Sequence, residues 1–345
     1  MRGEWPQHKK YNLKNISVRR VIETRFSRRA NRPPGCGPNG TIVKRPIGEG
    51  GNMTDEESTD ALETMFGLVA NEIRLDVLWT LWGSYTDDPR PEPEPVSFST
   101  LKDRVGVRDS GRFHYHLDEL VPQFVTRHDE GYALTDAGAQ IVGAGFSGVY
   151  TDRDATLDAR AVDECSNCDG TLHVRYERGH AVVDCDSCES THVMSVPPIL
   201  VEAHEAEANP ALLGVFATTQ LRQTSRGFCY LCTGPVEGAV ADSLPGGETD
   251  DSGTVEVTYE CTECGATFYT AATTAVLDHP AVVSLLHEAG IDYREIPLWE
   301  VSRILDSEAR VKADDPVRVE VRVTVGDGLR LLLDENLNVV EYGRS

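Results

Sequence analysis

The sequence predicts an α+β protein, and three observations carry that expectation. Apolar residues recur at helical spacing through much of residues 61–142. Eight of the nine cysteines fall into four CxxC pairs. Residues 317–342 alternate apolar and polar side chains in three short runs.

The helical part comes first. Leu62, Met65, Phe66 and Val69, then Ile73, Val77, Leu78 and Leu81, lie on one helical face with Asn71 between the groups, which predicts two helices or one bent helix. The acidic, proline-rich run Asp87 to Pro95 cannot continue a helix. Ser97 or Ser99 can cap a short helix, Thr100 to Val105, ended near Gly106. Asp109 or Ser110 can cap another, running to Leu120 and stopped by Pro122. Phe124 to Arg127, a turn at Asp129-Glu130-Gly131, and Tyr132 to Thr135 read as a β-hairpin. A last helix follows from Thr135 or Asp136 through Ile141 and Val142. Helix, helix, turn, helix, hairpin is the order of a winged helix-turn-helix. On the second helix of that motif Phe113, His116, Leu117 and Leu120 share the core-facing side. Arg108, Arg112 and Tyr115, with His114 and Asp118 beside them, then point outward, where a reader of the major groove needs its donors. His116 is expected to be a packed, hydrogen-bonded core histidine rather than a ligand, and His114 and His116, two apart, do not form a chelating pair.

Several stretches resemble transcription regulators of the ArsR-like branch: LVANEIRLDVLWTL is similar to the first core helix of that family, GRFHYHLDEL to its recognition helix and YALTDAG to its wing exit. The likeness covers roughly 85 residues. It implies double-stranded DNA as partner, a homodimer on paired half-sites, and contacts from Lys102, Arg104, Arg108, Ser110, Arg112, His114, Tyr115 and Arg127.

Charge supports a nucleic-acid surface there. The chain has 33 basic and 56 acidic residues, net −23, but residues 1–52 carry +9 and residues 53–345 carry −32. The long part has two lysines, Lys102 and Lys312, and its acids are scattered, a composition like that of salt-in halophiles. Acidity is then background, and local relief from it becomes the signal. Residues 99–128 hold five basic and four acidic groups, whereas residues 129–210 hold 4 and 16. Arg127 and His128 are placed near the wing tip, against phosphate or in the minor groove. Residues 1–52 read as a basic disordered arm or as upstream translation ahead of a start at Met53; the charge break favours the second.

The cysteine pairs are Cys165/Cys168, Cys185/Cys188, Cys229/Cys232 and Cys261/Cys264, with 16 and 28 residues inside the successive sets. A CxxC turn lets two thiolates converge on one metal, and two such turns joined by strands complete a tetrahedron, the zinc-ribbon pattern. Two structural zinc ions per chain are expected, iron being the alternative metal and disulfides the alternative chemistry. Leu172 to Tyr176, Ala181 to Asp184, Val255 to Tyr259 and Ala266 to Thr270 supply the strands, and Ala241 to Gly253 an insertion. Gly170, Gly234 and Gly265 sit just past three knuckles, where amides must turn toward sulfur.

Two helices split near Asn209-Pro210 lie between the ribbons, and two more, Ala281 to Ala289 and Leu298 to Leu305, follow the second. A three-strand meander closes the chain: Val317 to Val325, Leu329 to Leu333 and Val339 to Tyr342. The expected division is therefore 1–52, a winged helix over 58–150, a first ribbon over 160–196, a helical linker over 197–226, a second ribbon over 227–274 and an α+β region over 275–345. The ribbons and the last region together resemble the C-terminal half of haloarchaeal ArsR-like regulators.

No phosphate-binding loop, nucleophile elbow, dinucleotide fingerprint or HExxH is present, so an enzyme is not expected. The expected function is a cytoplasmic DNA-binding transcriptional regulator, with no membrane contact and with room for an effector or protein partner in the C-terminal region. The alternative is a zinc-ribbon adaptor for protein or RNA. A metal or redox sensor is weaker, because residues 53–164 contain no cysteine.

Overall fold

The computed structural model describes residues 63–87, 94–150, 155–204, 206–241, 255–305 and 307–344, the side chains of 85–87 and 302 excepted. The expectations for residues 1–52, for Leu62, for the middle of the proline-rich run and for nearly all of the 241–253 insertion lie outside these. The chain divides into two compact units, Met1–Asp152 and Arg153–Ser345.

In the first unit the expected bend is a break. Residues 63–69 are helical, and Asn71 then starts a new helix by accepting the amides of Ile73 at 3.0 Å and Arg74 at 3.3 Å. That helix is α1, Glu72–Asp87. Arg74 is buried and ties the break shut: its guanidinium donates to the Leu68 carbonyl at 2.9 Å and pairs with Glu119 at 3.3 Å. Ser97 caps α2, Phe98–Val105, which Gly106 ends at φ 80°. Asp109 caps α3, Ser110–Asp118, two residues shorter than the sequence suggests. The hairpin is β1, Val125–His128, and β2, Gly131–Leu134. Thr135 then caps α4, Asp136–Ser147.

The sequence gives no hint of an isolated antiparallel bridge between Val96 and Tyr132, which lays the chain before α2 against β2 of the two-stranded sheet. Gly131 makes this approach possible, since a Cβ there would lie 2.3 Å from the Val96 carbonyl oxygen. Val77, Leu78, Leu81, Leu101, Phe113, Leu117 and Leu120 close the core between α1, α2 and α3.

The second unit contains one succession of parts twice. In the first copy β3, Leu157–Glu164, leads into a cysteine knuckle, β4, Thr171–Glu177, β5, His180–Cys185, a second knuckle and β6, Thr191–Ser195. The short helix α5, Pro198–Ala203, and the longer α6, Ala211–Ser225, follow. In the second copy a knuckle leads to β7, Val236–Val240, β8, Glu256–Cys261, a second knuckle and β9, Thr267–Ala271. The short α7, Ala272–Ala275, and the longer α8, Pro280–Glu288, then follow. Proline stands at the start of both longer helices, at Pro210 and Pro280. Both sheets are antiparallel and ordered along the chain.

α6 serves both copies, giving Leu213 and Ala217 to the first core and Leu221 to the second. Its Gly214 is an adaptation to packing: a Cβ would meet the Trp299 ring at 2.4 Å. After α9, Val301–Leu305, the closing sheet has four strands where the sequence predicts three: β10, Ser307–Asp314, β11, Val317–Val323, β12, Leu329–Leu333, and β13, Val339–Arg344. β10 escapes a sequence reading because it is an edge strand, with Ala309 its one buried residue.

Candidate metal centres and nucleic-acid interface

All four knuckles close alike. The amides of Cys165, Cys185, Cys229 and Cys261 donate to the carbonyls of Gly170, Ser190, Gly234 and Ala266 at 2.8, 3.1, 2.9 and 2.9 Å, each five residues on. Within these loops further amides turn onto sulfur: Asn167 to Cys165 at 3.4 Å, Gly170 to Cys168 at 3.3 Å, Leu231 to Cys229 at 3.3 Å and Gly234 to Cys232 at 3.4 Å. Gly170 is needed for space as well, because a Cβ there would stand 2.8 Å from the Cys185 sulfur.

The eight cysteines assemble into two groups of four, Cys165, Cys168, Cys185 and Cys188, and Cys229, Cys232, Cys261 and Cys264. Within each group the ligand atoms lie within 4.8 Å of one another. Knuckles cross in the same sense in both: Cys165 to Cys188 is 3.7 Å and Cys168 to Cys185 3.5 Å, as Cys229 to Cys264 is 3.7 Å and Cys232 to Cys261 3.5 Å. A tetrahedron with bonds of about 2.3 Å sets sulfurs ~3.8 Å apart, so each group fits one metal ion. The cysteines are free thiols, far outside the ~2.05 Å of a disulfide bond. The Ser187 amide leads in bringing Cys185 down to about 7. At Cys229, burial works upward, but the amides of Cys232 and Leu231 still bring it to about 7. Partners in the same groups move the other way: against the Gly170 amide, the neighbouring cysteine side chains push Cys168 up to about 12, and burial leads in pushing Cys264 up to about 12. The two groups differ in exposure. Cys165 is buried and its partners half-buried, whereas Cys232 and Cys264 are exposed. The Cys229–Cys232 knuckle also exposes Phe228 and Leu231, 57% and 68%, where the corresponding Cys165–Cys168 knuckle has the polar Glu164 and Asn167.

In the first unit α3 is locked from behind. Phe113, His116, Leu117 and, just past the helix, Leu120 are buried. His116 is packed as expected, but its Nδ1 is buried without the expected hydrogen bond, because apolar side chains of the core surround it; burial, then the charges of Arg74 and Arg112, lower the pKa of this ring. The opposite side exposes Arg108, Ser110, Arg112, His114 and Tyr115. Among the described residues the side chains of Arg104, Arg108 and Arg112 enter no hydrogen bond or ion pair. The other expected contact residues are engaged. Lys102 Nζ donates to Ser110 Oγ at 3.0 Å, and His114 pairs with Asp118 at 3.1 Å. Arg127 donates to Asp118 at 3.0 Å and to the Tyr132 hydroxyl at 2.8 Å, so it fastens β1 to α3. The tip of the hairpin is Asp129-Glu130, beyond Arg127 and His128.

A family model described as Domain of unknown function (DUF7351) matches residues 162–339, just over half of the chain. The chain belongs to the DUF7351 family. The DUF7351 match runs from within β3 to the start of β13 and so takes in both cysteine groups and most of the closing sheet. A second model, Domain of unknown function (DUF7347), matches residues 62–144, the helices and hairpin of the first unit. No curated protein and no solved structure matches this DUF7351 chain. None of the helices among the described residues is long and apolar enough to cross a membrane.

Proposed function

We propose that this protein is a DNA-binding transcriptional regulator whose first unit is a winged helix-turn-helix of ArsR-like type. The observation that carries the reading is the pair of unengaged guanidinium groups, Arg108 and Arg112, at the exposed start of a helix whose other face is fixed in the core. The order of elements supports it, and so does the bridge from Val96 to Tyr132, which backs the hairpin with one further extended residue. Arg112 then reads a base edge, Arg108 and Tyr115 assist it, and Lys102, Arg104 and Arg127 hold phosphate. Arg127 does so by exchanging Asp118 for DNA. Two zinc ions per chain act as structural ions in the cysteine groups, with no open coordination position for chemistry. The protein works as a homodimer in the cytoplasm. Trp79 stacks on Phe146 at 4.6 Å beside Trp82, and Trp79 and Tyr150 remain 37% and 59% exposed, an apolar surface that a second copy would cover.

Selection of binders from random duplexes tests the reading. The full chain should enrich one motif, and Arg112→Ala should lose about 1–3 kcal/mol and relax one base position. Arg127→Ala should weaken all sequences alike and flatten the salt dependence by about one ion. The exposed Phe228 and Leu231 favour a second reading, an adaptor that docks protein on its Cys229–Cys232 knuckle. Absence of any duplex affinity would move the protein to that class.

A further inference from the structure

The closing sheet carries the other exception to the acidity of the chain. β11 and β12 send Val319, Val321, Val323, Leu329, Leu331 and Leu333 into the core. The opposite face bears Arg310, Lys312, Arg318, Arg322 and Arg330. Lys312 is one of two lysines after residue 52, the other being Lys102 on α2. Arg322 and Arg330 are direct cross-strand partners, an arrangement of like charges that costs energy unless an anion joins it. Glu320, only 5% exposed, supplies part of that anion: it lies 2.9 Å from Arg322, 3.7 Å from Arg330 and 3.8 Å from Lys312. Glu341 on β13 supplies a second carboxylate, 3.3 Å from Arg330, so two carboxylates face three cations and one positive charge is left in excess at the centre of the face. The flanking pairs, Arg310 with Glu308 at 3.0 Å and Arg318 with Glu335 at 2.7 Å, are solvent-facing and exchange partners at little cost.

We infer that this sheet face binds the phosphodiester backbone of duplex DNA, as a contact separate from α3. The inference rests on the DNA-binding reading and extends it to the DUF7351 region. Cations on β10 and β12 stand roughly 10 Å apart, two strand spacings. A duplex offers a charge every ~3.4 Å along each strand, so the face meets several phosphates at once. Arginine predominates, and its planar fork matches phosphate oxygens. The contact reads no bases.

The test is duplex binding by the full chain across a series of KCl concentrations. Lys312→Gln, Arg322→Gln and Arg330→Gln are combined with Glu320→Gln, so that no buried carboxylate is left without a partner. This variant should bind every duplex at least roughly tenfold more weakly, lower the salt slope by about two to three, and keep the parent's sequence preference. A second variant, Arg310→Gln with Arg318→Gln, leaves the Glu320 cluster intact and should show a smaller loss of the same kind. It decides the matter if the first does not fold. Binding within twofold of the parent by the folded variants overturns the inference, as does weakened binding to poly-glutamate with DNA binding unchanged, which would mark a surface for acidic protein. If Arg112→Ala loses affinity and the sheet variants do not, the sheet inference alone falls. If the parent binds no duplex, both readings fall.

Discussion

Glu300 lies beside Asp163 and Arg303, and the three are joined by Arg303, which reaches Asp163 at 2.5 Å and Glu300 at 3.3 Å. Burial first, then the Asp163 charge, push the Glu300 carboxyl up to about 7, against the pull of Arg303. A raised folded-state pKa means that the folded chain holds a proton the unfolded chain releases near 4.5, so stability falls as pH rises from there through about 7. Glu300→Gln keeps the neutral form at every pH. Its melting temperature should exceed the parent's by a few degrees at pH 8 and match it near pH 4.5; the same gain at both would show that ionisation is not the cause. Single residues of this kind were hidden from the sequence, which has 53 carboxylates after residue 52 and nothing to mark one of them. The outward side of α3 was legible because helical spacing alone sorts Phe113 and Leu117 from Arg112 and Tyr115, whereas Arg108 lies in the turn ahead of the helix, before its cap Asp109. The engagement of Arg127 was not legible, since it depends on Asp118 and Tyr132 meeting across two elements.

The knuckles are the elements on which the second unit depends. Their metal-ligand pattern was readable from CxxC spacing, and Gly170 sits where the chain passes too close to sulfur for a side chain, while at Gly234 the Glu263 side chain takes that space. The duplication was harder to see, because only the cysteines and the prolines at Pro210 and Pro280 repeat, while the 28-residue interval of the second set obscures the common plan. Val96 and β10 were missed for a similar reason: a single bridging residue and a largely exposed edge strand carry no apolar period. The two metal centres should behave unequally. Elemental analysis is expected to find two metal ions per chain, and Cys165→Ser or Cys229→Ser one. Because thiolate-bound zinc contributes roughly 10 kcal/mol or more in zinc-finger peptides, a chelator should unfold the second unit while the first stays folded. Within that unit the group with exposed Cys232 and Cys264 should yield its ion first. Metal-free protein with eight thiols and an unchanged melting curve would contradict this.

Over the whole molecule, a net charge of −32 on residues 53–345 opposes compaction by self-repulsion, which dissolved salt screens. The melting temperature should climb steadily between about 0.1 M and 1 M KCl, where the Debye length shrinks from ~10 to ~3 Å; a flat or falling curve would show that the acids are already paired. The same background gives the two exceptions their meaning, the exposed face of α3 and the outer face of the closing sheet. The division after Asp152 follows from the separate cores on either side of it, one of helices around α1, the other of metal-knuckle sheets sharing α6. The proposed sequence-specific binding of chromosomal DNA through α3 can be read in cells, by mapping the sites occupied by the parent chain and by Arg112→Ala. Discrete peaks that share a motif are expected for the parent, and their loss or redistribution for Arg112→Ala at equal protein level. An identical profile for the two proteins, or no discrete peaks for either, would contradict it.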